Sequence, residues 1–117
     1  MYLCAGIGIA YHHGGLRFED RRIVETLFAQ GDILFASATS TLSQGVNLPA
    51  HLVIIKGTSM YVNGSYENMN LHTVQQMCGR AGRPGFDSFG IAVIMTHDHV
   101  RGKNNRLYIA HFLMNRL

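Results

Sequence analysis

The chain alternates short apolar runs with segments of helical spacing. Four near-continuous apolar runs predict strands that are buried on both faces. They are residues 7–11, 33–38, 52–56 and 91–95. Between them lie segments whose apolar residues recur every three or four positions, which is typical of helices. Strands that alternate with helices predict an α/β fold, with a parallel sheet flanked by helices.

The clearest helical segment is residues 18–30, where Ile23, Val24, Leu27 and Phe28 form one apolar stripe. Glu19 and Asp20 fall in its first turn, where the helix dipole favours anions. Gly31 is a natural stop.

Two further helices are predicted. The first covers residues 71–80, with Asn70 as its N-cap and with Pro84 and Gly85 ending it. The second covers residues 104–117, where Leu107, Ile109, Phe112 and Leu113 are apolar.

Residues 58–68 carry a hairpin signal. Asn63-Gly64 lies between Tyr61, Val62 and Tyr66, and Asn-Gly suits the tight turn that joins two antiparallel strands.

Composition fits a folded protein. The 117 residues are 47% hydrophobic and 15% charged, which excludes disorder as the main state.

The longest apolar run, residues 2–11, is half the length of about 20 residues that spans a membrane, so no membrane association is expected. With only Met1 before it, this run lacks the basic segment of a secretory signal. Cys4 and Cys78 are too few for a disulfide scaffold, and reduced thiols in an intracellular protein are the simplest interpretation.

Charge adds a weak indication of polyanion binding. The net charge is +3, and eight of the ten cations are arginine, which suits bidentate phosphate contact. A net charge of +3 is also ordinary for a protein surface that binds no polyanion. The seven histidines show neither helical i, i+4 pairing nor cysteine partners, so no metal site is expected.

Two segments fall beyond predicted strand ends, where ligands bind in open α/β sheets. In residues 75–84, Arg80 and Arg83 share a face if the helix continues, and Gly79 and Gly82 clear space for a triphosphate. Gln76 lies one turn earlier and is suited to orienting a water or a phosphate oxygen. A solvated basic helix end explains this pattern equally well.

The other segment is residues 39–50. Thr39, Ser40 and Thr41 can present hydroxyl and N–H donors to a phosphate, although a simple turn that caps a helix accounts for them more readily.

Together the segments resemble a known family. TSTLSQGVNLPA (residues 39–50) resembles motif V, and QMCGRAGRPGFD (residues 76–87) resembles motif VI, of superfamily 2 DExH-box helicases. HHGGL (residues 12–16) is similar to the HHxGL signature of the Ski-like branch. VIIKGT and AVIMT look most like the meiotic crossover-promoting DNA helicases within that branch.

The resemblance implies the second of two RecA-like motor domains, with ATP and nucleic acid bound at their junction. It implies that Arg80 and Arg83 reach the γ-phosphate as fingers and that Gln76 lies near the catalytic water. Gly45 and Asn47 would lie near the nucleotide. Thr39, Ser40, Thr41, His13 and Gly14 would contact the nucleic-acid backbone. Tyr61, Asn63, Gly64 and Tyr66 would form a strand-separating hairpin, although the tyrosines equally suit bracing of the hairpin itself.

The sequence contains neither a GxxxxGK[ST] phosphate loop nor a DExH stretch, which belong to the first motor domain that binds ATP and Mg²⁺. Gly14 and Ser43 depart from the family pattern without removing a needed group. We therefore expect a fragment, with residues 1–100 a partial helicase C-terminal domain truncated at its N-terminal edge. Residues 101–117 would form a helix leading to a further domain.

The expected function is the C-terminal motor half of a nuclear ATP-dependent helicase that acts on DNA in meiotic recombination. Its partners would be DNA and the first RecA-like domain of the same parent chain. An RNA helicase and a non-catalytic scaffold are the alternatives.

Overall fold

The structure, a computed structural model, describes residues 6–40, 46, 48–97 and 105–113. The chain divides into two compact units, Met1–Leu48 and Pro49–Leu117, which are described in turn. No helix in the described ranges has the length and apolar character needed to cross a membrane.

The first unit is a β–α–β element. Strand β1 (Ile9–His12) is followed by helix α1 (Phe18–Gln30) and strand β2 (Phe35–Ala38), and the two strands pair in parallel from Ile9↔Phe35 to His12↔Ala38. The predicted bounds of the helix are confirmed. Gly31 ends it in the left-handed conformation at φ 84°, where its N–H reaches the Phe28 carbonyl oxygen over 3.1 Å.

The core of this unit lies on one face of the β1–β2 pair. Ala10, Val24 and Ile33 are buried there, with Leu27 and Phe28 packed against them. The expectation of strands buried on both faces is wrong for the described residues of β1 and β2, and it is also wrong for the third strand, where Leu52 and Ile54 are exposed. Ile9 and Tyr11 are exposed because β1 alternates inward and outward positions, and Phe35 of β2 is exposed as well. Ile23 is also exposed, since it lies at the margin of the apolar stripe of α1.

A partly buried side-chain hydrogen bond links α1 to β1. His12 is 2% exposed, and its Nε2 lies 2.9 Å from the Glu25 Oε1 of the helix. His12 therefore has a structural task in this unit.

The described residues of the second unit form two sheets and a helix. Strands β3 (Leu52–Ile55), β6 (Phe89–His97) and β7 (Asn105–Leu113) form one sheet, in which β6 runs parallel to β3 and antiparallel to β7. Helix α2 (Leu71–Cys78) precedes β6. Ile55, Cys78, Ala81 and Ala92 form the buried core, with Val53, Val74, Met77 and Ile94 packed against it.

The predicted helix at residues 104–117 is wrong, because residues 105–113 form β7. This strand pairs with β6 from Phe89↔Leu113 to His97↔Asn105. Periodicity alone does not separate a short apolar helix from a strand, and hydrogen bonding along the edge of β6 decides for the strand.

The hairpin is confirmed. Strands β4 (Ser59–Val62) and β5 (Ser65–Asn68) pair antiparallel around Asn63 and Gly64, whose φ angles are 49° and 90°. Two positive φ angles are what a tight two-residue hairpin turn requires, and asparagine and glycine adopt them readily.

The α/β class is confirmed: the described chain has parallel strand pairs and two helices. The single parallel sheet that the alternation predicted is not observed among the described residues. Their strands form separate sheets, and one of these is mixed because β7 is antiparallel.

Candidate functional site

Helix α2 positions Gln76. The Asn70 side chain caps the helix as predicted, accepting a hydrogen bond of 3.0 Å from the backbone N–H of His72. One turn later, the Gln76 carboxamide nitrogen donates to His72 Nε2 over 3.0 Å. Gln76 is exposed, so its amide is both oriented by the helix and accessible to a ligand.

The helix ends two residues earlier than predicted, so Arg80 and Arg83 do not share a helix face. After Cys78 the backbone tightens: the N–H groups of Arg80 and Ala81 donate to Met77 and Cys78 over 3.1 and 2.9 Å. Gly82 then takes a φ of 96°, a conformation that breaks the helix and that glycine adopts freely. We call residues 79–83 the arginine turn.

Backbone hydrogen bonds hold the arginine turn beside the start of β3. The Ala50 N–H donates to the Arg80 carbonyl oxygen over 2.9 Å, and the Gly82 N–H donates to the Ala50 carbonyl oxygen over 2.7 Å. Ala81, between the two arginines, is 6% exposed and belongs to the core. The backbone of the arginine turn is therefore held in place by hydrogen bonds next to the start of β3.

Strand β6 supports the arginine turn from the other direction through Gly90. A Cβ at Gly90 would lie 2.2 Å from the Ala81 carbonyl carbon, 2.2 Å from the Gly82 nitrogen and 2.4 Å from the Ala81 oxygen. Such separations are far below van der Waals contact, so only glycine allows the strand to approach the turn this closely. Gly90 was not predicted as part of the site, although a glycine at the start of an apolar run indicates close backbone approach.

The Arg83 guanidinium forms a bidentate salt bridge with Asp87. Arg83 Nε lies 2.9 Å from Asp87 Oδ2, and Nη2 lies 3.1 Å from Oδ1. The Arg83 backbone N–H also donates to Oδ2, over 2.8 Å. The Asp87 side chain is 8% exposed, whereas that of Arg83 is 50% exposed. The carboxylate of the pair is therefore buried, and the guanidinium is partly exposed to solvent.

Each partner shifts the other's ionisation in the expected direction. Hydrogen bonds from Arg83 hold the pKa of the Asp87 carboxyl well below its usual range, and His51 adds a smaller attraction. The same contact raises the pKa of Arg83. Asp87 is therefore ionised throughout the neutral range and remains a constant partner for the guanidinium.

Three rings lie around this pair. His51 Nδ1 lies 3.3 Å from Asp87 Oδ1, and the His51 ring meets the Phe89 ring edge-on at 5.5 Å. The Phe86 ring lies 5.8 Å from Arg83 Cζ. His51 and Asp87 were missed by the sequence analysis. Asp87 ends the motif VI segment four residues after Arg83, and that spacing was the available signal.

In the first unit, the predicted backbone-binding residues follow the ends of neighbouring strands. His13 and Gly14 come directly after β1, and Thr39 and Ser40 come directly after β2. The Thr39 N–H donates to the His12 carbonyl oxygen over 3.2 Å, which brings the two loops together. Thr41, predicted to bind the same backbone, lies outside the described residues, as do Gly45 and Asn47, which are predicted to lie near the nucleotide.

The His13 ring has a fixed orientation. It stacks on Tyr11 with the ring centroids 5.6 Å apart, and its Nδ1 accepts the Gly15 N–H over 3.1 Å. When neutral, the ring therefore carries its proton on Nε2, which makes that atom a hydrogen-bond donor.

The hairpin exposes both predicted tyrosines. Tyr61 and Tyr66 are directly opposite in register, and their rings meet edge-on at 5.2 Å. They are 65% and 79% exposed. The rings brace each other and still present aromatic surface to solvent.

Cysteine and metal chemistry are not indicated in the described ranges. Burial raises the pKa of the Cys78 thiol, which keeps it protonated and unreactive. No group of three His, Cys, Asp or Glu residues among those described is arranged to hold a metal ion. The site instead offers guanidinium and side-chain amide donors, which suit a polyanion.

Comparisons with known proteins agree on one family. The model of the helicase conserved C-terminal domain matches residues 1–85. The chain is 51% identical over 96 residues to the Homo sapiens "Probable ATP-dependent DNA helicase HFM1", covering 82% of this chain and 7% of the relative. It is 50% identical over 95 residues to the Oryza sativa "ATP-dependent DNA helicase MER3 homolog", covering 80% and 8%.

A third relative has a different name. The chain is 50% identical over 94 residues to the Homo sapiens "Activating signal cointegrator 1 complex subunit 3", covering 78% of this chain and 4% of the relative. The chain thus spans less than a tenth of the length of each of these three proteins.

Proposed function

The chain belongs to the helicase conserved C-terminal domain family, and from this premise we propose that it is the second, RecA-like motor half of an ATP-dependent DNA helicase. The parent helicase, in this proposal, is a longer polypeptide that also carries a first motor domain. That domain supplies the phosphate loop and the carboxylates for Mg²⁺. The parent acts in the nucleus, in meiotic recombination.

The observation that carries the proposal is the construction of the arginine turn. Its backbone is hydrogen-bonded to Ala50 and its centre is buried, while the Arg83 guanidinium remains half exposed. A fixed backbone with an accessible guanidinium suits a finger that must meet the charge of a transferring phosphoryl group. ATP with Mg²⁺ supplies that group when bound across the two motor domains.

Each residue then has a defined part. Arg80 and Arg83 stabilise the charge that develops on the γ-phosphate, and Gln76 orients the attacking water. Thr39, Ser40 and Thr41, with His13 and Gly14, hold the backbone of one nucleic-acid strand. Gly45 and Asn47 lie near the nucleotide. The hairpin of Tyr61, Asn63, Gly64 and Tyr66 separates the strands.

A strand-displacement assay tests this function. The parent helicase should unwind a DNA duplex with ATP, whereas the isolated 117-residue chain should neither hydrolyse ATP nor unwind. Matched RNA and DNA duplexes form the substrate control. Unwinding of RNA alone would transfer the proposal to RNA, and nucleic-acid-stimulated hydrolysis by the isolated chain would overturn the two-domain account.

A further inference from the structure

Arg83 makes its contact with Asp87 through one edge of the guanidinium. Nε and Nη2 lie 2.9 and 3.1 Å from the two carboxylate oxygens, so both oxygens of Asp87 accept a hydrogen bond from the guanidinium. Nη1 takes no part in this contact. A guanidinium has five N–H donors in a rigid plane, and the side-on contact uses two of them. The remaining edge therefore points away from Asp87.

Asp87 is itself held in place from several directions. Its carboxylate accepts the Arg83 backbone N–H over 2.8 Å, and its own backbone N–H donates to the Arg83 carbonyl oxygen over 2.9 Å. His51 Nδ1 approaches Oδ1 to 3.3 Å. His51 follows Ala50, the residue that is hydrogen-bonded to the arginine turn, and its carbonyl oxygen accepts the Ile91 N–H over 3.0 Å. The acid is thus attached to the same strands as the turn.

We propose that Asp87 is a positioning residue for ATP hydrolysis, which holds the Arg83 guanidinium by one edge and directs its free edge to the γ-phosphate. This inference rests on the proposed function. An arginine side chain has many rotamers, and fixing it beforehand removes an ordering cost that would otherwise be met at each turnover. Because the carboxylate stays on Nε and Nη2, Arg83 can bind phosphate through Nη1 without breaking its contact with Asp87.

Two other roles for Asp87 predict different results. A purely structural acid would only cap the turn at residues 83–87, through the Arg83 backbone N–H. A sequestering acid would compete with phosphate for the guanidinium, so that its removal would raise turnover. The positioning role predicts a loss of turnover that depends on the presence of the Arg83 side chain.

A double-mutant cycle in the parent helicase separates these roles. Asp87→Asn should lower kcat by roughly 10- to 100-fold, since misplacement of a catalytic group by about 1 Å has this effect. The KM for ATP should stay within a few-fold. In an Arg83→Ala background, Asp87→Asn should lower kcat no further. Asp32→Asn, a loss of the same charge at an exposed position of the first unit, is the control and should leave kcat unchanged.

The outcomes identify which claim fails. Equal losses from Asp87→Asn in both backgrounds would show a structural role, and a higher kcat would show sequestration; either result overturns the inference. If Arg83→Ala itself leaves kcat intact, the proposed finger is wrong, which is a failure of the proposed function.

A second readout does not depend on activity. In the ¹⁵N-labelled 117-residue chain, the Arg83 Nε–H signal should be protected from exchange, and Asp87→Asn should abolish that protection. An Nε–H that exchanges equally fast in both chains would contradict the fixed orientation.

Discussion

Replacing Gly90 with alanine tests whether β6 sets the position of the arginine turn. The added Cβ would lie 2.2 Å from the Ala81 carbonyl carbon and the Gly82 nitrogen, whereas an ordinary contact begins near 3.4 Å. The strand and the turn must therefore separate by more than 1 Å. The Cβ of alanine has a fixed position on the backbone, and the atoms that it meets are backbone atoms, so no side-chain rotation can relieve the contact.

Two consequences follow, one for stability and one for activity. Overpacking of a close contact costs about 1–3 kcal/mol, so Gly90→Ala should lower the free energy of unfolding of the 117-residue chain by that amount. The displacement reaches Arg80 and Gly82, which hold Ala50. A shift of about 1 Å in a catalytic group lowers turnover by about 10²-fold, and we expect this loss of kcat in the parent helicase.

Gly57→Ala is the matched control in the same unit. A Cβ there meets nothing within 4 Å and the backbone has no positive φ, so stability and ATPase activity should be unchanged. Urea unfolding measures the first quantity and steady-state ATPase the second. If Gly90→Ala behaves like Gly57→Ala in both assays, the reasoning about the turn is refuted.

Two further predictions concern the hairpin and Asp87. Replacing residues 61–66 of the parent with a short Gly-Ser turn should abolish most duplex unwinding and leave single-strand-stimulated ATPase within a few-fold, because β3 and α2 remain intact; parallel loss of stability, ATPase and unwinding would instead show that the hairpin only braces the unit. Since the pKa of Asp87 is lower in the folded chain, its contribution to stability is present above its unfolded pKa of about 4 and is lost as pH falls below that. The difference in urea midpoint between the natural chain and Asp87→Asn should therefore be present at neutral pH and shrink as pH falls below about 4; a difference that does not shrink in that range would contradict the assigned pairing.

Local signals in the sequence were sufficient where the interactions are local. Helix α1, its Gly31 stop, the Asn70 cap and the Asn63-Gly64 turn depend on residues a few positions apart, and the structure confirms them. The apolar stripe was also correct at Val24, which is 3% exposed.

Features that depend on distant partners were not predicted. β7 is a strand because it pairs with β6, and its own apolar residues did not distinguish it from a helix. The arginine turn leaves the helical path because it hydrogen-bonds to Ala50, some thirty positions earlier in the chain. The contacts of Gly90 and His51 depend on the position of β3 and β6 beside that turn, which the sequence alone does not reveal.

The motif residues were easier to identify than their geometry. Arg80 and Arg83 stood out by their spacing and by the family pattern, but their expected common helix face was wrong, since α2 ends at Cys78. Asp87 was read as the end of a motif, and its contact with Arg83 required the turn at residues 83–87.

The central claim, that this chain supplies an arginine finger to a two-domain motor, is tested most directly by Arg83→Ala in the parent helicase. Single-turnover ATP hydrolysis should slow by roughly 10³-fold or more, as for arginine fingers generally. The Kd for ATP should change by only a few-fold, because the finger acts mainly on the transition state. Unchanged hydrolysis together with weakened nucleic-acid binding would contradict the claim and assign the arginine turn to the other ligand.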